Sequence, residues 1–282
     1  MISEIPKNKF SAEKIINALK ACEAEVLNVV YITDLIILEN NNILILENSG
    51  ECHSLYLCNS NFESIKYLQF KDDTIGIAAN DNKIYRADEF NLIMYDLELN
   101  EIKSIDSLVP NGEAFVYLNG LFWHKDTLQL FVCDFSNSQI HIFTEYLQFV
   151  ISIDIRAEGS PVQITISSNT AFVKVYTGTL SSDFCSTYTY DFDTWKLKGK
   201  YESILSNNRI TEIDGYYYEI TENHVLYIFD SNGILIETEN LKSIFEKYFP
   251  EKEVTRGIVY YNGYLLLYGD FNDDPGCLLL YI

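Results

Sequence analysis

Proline and glycine are scarce, five and thirteen in 282 residues, so collagen-like and low-complexity readings fall away. Positive charge is scarce too: 20 Lys and Arg stand against 41 Asp and Glu, a formal charge of -21. Such a chain repels phosphate backbones and anionic bilayers before contact, which argues against nucleic acid and membrane as partners. A basic peptide or protein, or a small cationic ligand, is left. Nowhere do 18 apolar residues run together, and the opening "MISEIPKNKFSAEKIINALKAC" has no signal-peptide core. There is no CxxC, and Cys52, His53 and Cys58 lack zinc-knuckle spacing. The six cysteines sit mostly inside apolar runs, as small buried hydrophobes do. The expectation is a reduced, cytoplasmic protein. Phosphate loops, nucleophile elbows and dinucleotide fingerprints are missing as well.

What is abundant is the material of strands. Tyr (21), Phe (17) and many Ile, Leu and Val suit pleated, half-buried surfaces. Polar turns recur at 40–42, 80–82, 124–127, 168–170, 214–215 and 262–263, spaced 40 to 48 residues apart. Asn, Asp and Gly tolerate the positive φ of tight hairpins. A second series follows them: "SLYL", "LIMY", "IHIF", "TYTY", "LYIF" and "CLLLY", each of the first five leading through another turn to a further apolar run. Units of four short strands repeating at this period predict propeller blades. The expectation is all-β: one domain over 1–282, a six-bladed β-propeller with four-stranded blades. The sixth unit stops after its third strand, and "VLNVVYI" (26–32) is left over at the front, so the N-terminal strand is expected to close the ring and remove two sheet edges. Two short helices are expected outside the blades. One spans 12–24 with Ser11 as its cap; the other spans 241–249 and ends at Pro250.

Three stretches carry a family resemblance: "GIAANDNKIYRADEFNLIMY" (76–95), "LQLFVCDFSNSQIHIF" (128–143) and "GIVYYNGYLLLYGD" (257–270). Each resembles an NHL repeat, with an apolar strand ending in Asp, a short loop with Asn, and a further strand. The resemblance implies a protein-binding propeller, while related six-bladed folds include lactonases and lyases. Fold alone does not choose between them.

The loops joining second to third strands hold ten acids and no Lys or Arg, among them Asp88, Asp134, Asp270, Asp273 and Asp274. These five are the candidate partner-binding residues. Asp88, Asp134 and Asp270 end second strands, where a carboxylate caps loop N–H groups. The loops entering each blade add Asp34, Asp72, Asp73, Glu113 and Glu158, against Lys71, Arg156 and Arg209. Clustered oxygen ligands suit Ca²⁺ or Mg²⁺ at a tunnel mouth. By the lactonase resemblance the candidate metal ligands are Asp34, Asp73, Glu113 and Glu212. The four histidines lack ligand spacing and are expected to be structural. Two functions follow: a binding module with an acidic loop face for a basic or cationic partner, or a metal-dependent, lactonase-like hydrolase or lyase.

Overall fold

The computed structural model describes residues 25–28, 32–48, 53–71, 74–108, 113–178, 184–204, 209–213, 215–221, 224–243, 253–261, 264–271 and 276–281. After β1 (Glu25–Asn28) the chain enters a run of meanders. Sheet 1 holds β2 (Ile32–Ile37), β3 (Ile43–Asn48), β4 (His53–Cys58) and β5 (Ser64–Phe70). Sheet 2 holds β6 (Thr74–Ala79), β7 (Lys83–Asp88), β8 (Leu92–Asp96) and β9 (Glu101–Ile105). A small hairpin, β10 (Ser107–Leu108) with β11 (Glu113–Ala114), leads to sheet 3. That sheet holds β12 (Leu118–His124), β13 (Gln129–Asp134), β14 (Gln139–Thr144) and β15 (Phe149–Asp154). Sheet 4 holds β16 (Ser160–Ser167), β17 (Thr170–Tyr176), β18 (Phe184–Asp191) and β19 (Leu197–Ile204). Sheet 5 holds β20 (Thr211–Ile213), β21 (Tyr216–Ile220), β22 (Val225–Phe229) and β23 (Leu235–Asn240). The last strands are β24 (Glu253–Tyr261), β25 (Tyr264–Phe271) and β26 (Gly276–Tyr281).

The fold is an all-β propeller with four-stranded antiparallel blades and almost no helix. Among the described residues, five of the four-stranded sheets are unbroken meanders, and a further one is composite, in the order β1-β26-β25-β24, with Glu25 opposite Leu279 and Asn28 opposite Gly276. Of the strand expected over 26–32, residues 26–28 lie in β1 and pair with β26, Ile32 opens β2, and 29–31 lie outside the described residues. Both segments are apolar, so composition does not mark the break between them. The expected helix over 12–24 lies outside the described residues. Of the one over 241–249, only Lys242 and Ser243 are described as helical.

Neighbouring sheets share apolar seams. Leu44, Leu46 and Leu55 of sheet 1 pack with Ile77, Ile84 and Ile93 of sheet 2. Tyr85 and Met94 of sheet 2 pack with Leu121, Leu130 and Phe143 of sheet 3. Sheet 3 meets sheet 4 through Phe131, Ile140, Ile164 and Val173, and Phe172 of sheet 4 meets Tyr217 and Phe229 of sheet 5. Val259 and Tyr268 of the composite sheet pack on Ile43 and Ile45 of sheet 1.

A turn repeats between third and fourth strands. Asn59, Asp96 and Asp230 each accept from the backbone N–H two and four residues on, through one side-chain oxygen. Three residues after each comes a positive φ, at Phe62, Leu99 and Gly233. Thr144 repeats the pattern ahead of Leu147. Leu99 and Leu147 hold a conformation L residues disfavour by about 1–2 kcal/mol, and both side chains are buried, which offsets that strain.

First strands carry a second repeat. Register slips by a residue or more near the start of β2, β6, β12, β16 and β24. Glycine follows the slip in β6 and β24, at Gly76 and Gly257, and lies within it in β12, at Gly120. A Cβ on Gly76 would stand 2.7 Å from the Asn119 carbonyl oxygen, so first strands of adjacent sheets approach too closely for a side chain there.

Candidate functional site

At the loop face, Asp88 and Asp134 point inward. Asp88 is 2% exposed; its Oδ1 accepts from the Asn91 N–H at 2.7 Å and the Phe90 N–H at 3.1 Å, and its Oδ2 meets Arg86 Nη2 at 3.4 Å. Asp134 is fully buried, accepts from the Asn137 N–H at 3.1 Å, and lies 3.2 Å from His141 Nε2. The other ring nitrogen of His141 is 2.7 Å from Ser152 Oγ. Both aspartates hold their own turns together rather than facing solvent, so neither is a surface contact for a partner. Glu47, also buried, accepts from Tyr56 Oη at 2.8 Å. What this face exposes is different: Phe90 (51%) beside Glu89, and Val116 (45%) just ahead of β12. The Leu118 N–H donates to the Glu89 carbonyl at 3.1 Å, joining those two loops.

First strands border a cavity of about 290 Å³. Its walls are residues 35–37 of β2, 165–167 of β16 and 209–212 at the start of sheet 5, with Phe122 and Val259. Arg209 is the cation among them. Its Nη2 donates to Asp34 Oδ2 at 2.7 Å and to the Ile77 carbonyl at 2.8 Å, linking sheet 5 to the first strands of sheets 1 and 2. Asp34 also accepts from the Leu35 N–H at 2.9 Å, and Tyr268 Oη lies 3.5 Å away. Burial pushes the Asp34 carboxyl above its ordinary range, outweighing the downward pull of the Arg209 guanidinium.

The four candidate metal ligands are not assembled. Asp34 is engaged by Arg209, and Glu212 is exposed and hydrogen-bonded to Ser167 Oγ. Glu113 belongs to the added hairpin β10–β11 rather than to a first strand. Asp73, Asp273 and Asp274 lie outside the described residues. Asp270 is placed only by its backbone, opposite Val254. Among the described residues no three His, Cys, Asp or Glu side chains gather as a metal site. Arg209 is the residue the sequence undersold: the stretch 205–210 around it holds no acid that would mark it as half of an ion pair.

No family model matches the sequence, and no curated protein matches it. Solved structures do match by fold. Kuenenia stuttgartiensis hydrazine synthase aligns with a TM-score of 0.61 and 12% identity, over 86% of this chain and 75% of that one. The β-propeller domain of Myceliophteria thermophila Cps50 (Swd1) aligns with a TM-score of 0.58 and 10% identity, over 92% of this chain and 98% of that domain. The chain has a β-propeller fold. At these identities the likeness extends to the fold and no further.

Proposed function

We propose that this propeller is a binding module: a six-bladed, NHL-type ring in which β1 completes the sixth blade, and whose loop face takes a basic peptide or protein. The NHL reading is supported by the three quoted stretches, which fall on β6–β8, β13–β14 and β24–β25. The partner reading rests on one observation. Phe90 and Val116 stand exposed on loops that a backbone hydrogen bond joins, with Glu89 between them and no Lys or Arg in the loop 88–91. Apolar contact area beside a carboxylate suits a segment alternating basic and apolar residues. The metal-dependent hydrolase is the weaker reading, because Asp34 spends its carboxylate on Arg209 and Leu35.

The test is fluorescence anisotropy with a labelled peptide alternating lysine and leucine, on wild type and on Phe90→Ser/Val116→Ser. The expected result is saturable binding that weakens with salt and drops on the order of tenfold in the double variant. Equal binding by wild type and variant, or binding no stronger than that of free lysine, overturns the reading.

A further inference from the structure

The tunnel cavity is unlike the loop face. Its walls are mainly apolar, with Leu35, Ile166, Ile210 and Val259 among them, and its charged lining residues are Arg209 and the exposed Glu212, which Ser167 holds. The Arg209 guanidinium is only half used. Both hydrogen bonds of Arg209 leave from Nη2, and Nε is buried with no acceptor. A buried donor without a partner is uncommon, and it leaves this guanidinium with hydrogen-bonding capacity that the protein does not use. The side chain as a whole keeps 14% of its exposure, so part of it remains reachable.

We propose that this cavity binds a small aliphatic monocarboxylate, with the carboxylate on Arg209 and the apolar tail along Leu35, Ile166 and Val259. The planar guanidinium fork matches a carboxylate in shape and charge, and the pair gains strength where water is excluded. Aliphatic walls reward a tail and resist a second charge. At about 290 Å³ the cavity is at the small end of ligand pockets, which selects short and medium chains. The site shares no residue with Asp88–Asn91 or Val116, so its success or failure is separable from the basic-peptide reading.

Calorimetric titration of the full chain with butyrate, hexanoate, octanoate and 1-octanol decides the matter. The expected order is octanoate tightest, butyrate weaker, and octanol weaker than octanoate. Ser167→Phe, which puts bulk on the cavity wall and leaves the Arg209–Asp34 pair in place, should abolish binding. Removing Arg209 alone strips Asp34 of its partner, so Arg209→Gln/Asp34→Asn is used instead, with its fold checked by circular dichroism. Octanoate should bind that variant on the order of tenfold more weakly or worse, as expected for losing a charge-assisted hydrogen bond. The proposal is overturned by any of three results: no acid saturates the wild type, octanol equals octanoate, or Ser167→Phe binds like wild type.

Discussion

Lys174 and Glu219 meet at 2.7 Å with each side chain only 1% exposed, joining the second strands of sheets 4 and 5. The other carboxylate oxygen of Glu219 lies 3.2 Å from Thr187 Oγ1. A buried pair of this kind contributes little net stability, since desolvation offsets attraction, yet stranding one partner is severe. Glu219→Gln or Lys174→Met should therefore each cost about 3–5 kcal/mol in urea unfolding. The double variant Lys174→Met/Glu219→Met should recover most of that loss. A double variant no better than the singles would show that the pair is needed for more than mutual neutralisation.

Gly120 sits where first strands crowd. A Cβ there would stand 1.6 Å from Gln163 Oε1 and 2.7 Å from the Val162 carbonyl oxygen. Gly120→Ala should lower stability by about 1–3 kcal/mol, the usual range for overpacking. Gly215→Ala is the comparison. Its Cβ would meet nothing within 4 Å, so its loss should reflect only the φ of +77°. A melting temperature for Gly120→Ala equal to wild type would mean that the strands separate more easily than their spacing implies.

His124 ends β12, with its ring 4.8 Å from that of Phe192 and Nδ1 2.8 Å from Thr127 Oγ1. Burial lowers its pKa below the ordinary 6.5, and nearby Asp126 opposes this only in part. The unfolded chain then binds the proton more readily, so this residue's contribution is full above about pH 6.5 and is lost as pH falls through the folded value. Thermal melts at stepped pH should show that loss in wild type, and a smaller one in His124→Gln. A folded-state titration by NMR midway at or above 6.5 would contradict the sign.

Ring closure by β1 is open to a backbone test. Leu27 pairs with Cys277, and proline at residue 27 removes a ladder donor and forces φ. Leu27→Pro, or deletion of residues 1–28, should lower the melting temperature and promote association through the bared edge of β26. Monomeric, wild-type-like melting in both would show that β1 adds nothing to the sheet.

What the sequence made legible is local. Asn80, Asp88 and Asp134 each hydrogen-bond backbone within three residues, so the turn each forms is written in the residue itself. Alternating apolar runs between such turns gave the four-stranded units for the same reason. The contact between Arg209 and Asp34 was not legible. Arg209 and Asp34 are 175 residues apart, and no short-range pattern signals that pairing. Nor could composition separate an acid that saturates its own loop from one that faces solvent. Asp88 and Asp134 therefore counted toward a surface charge to which neither contributes.

The composite sheet bears on how the chain is made. Glu25 waits for Leu279, which the ribosome adds about 250 residues later. By then the five meanders have had time to form as local units, each from strands adjacent in sequence. Until that moment β1 has no partner strand in this sheet, and the pairing it then makes spans about 250 residues. Closure entropy grows only slowly with such a span, so the final state loses little by it. The exposure is in time rather than in equilibrium stability: synthesis rate and chaperone access set how long that strand stays free to find a wrong edge.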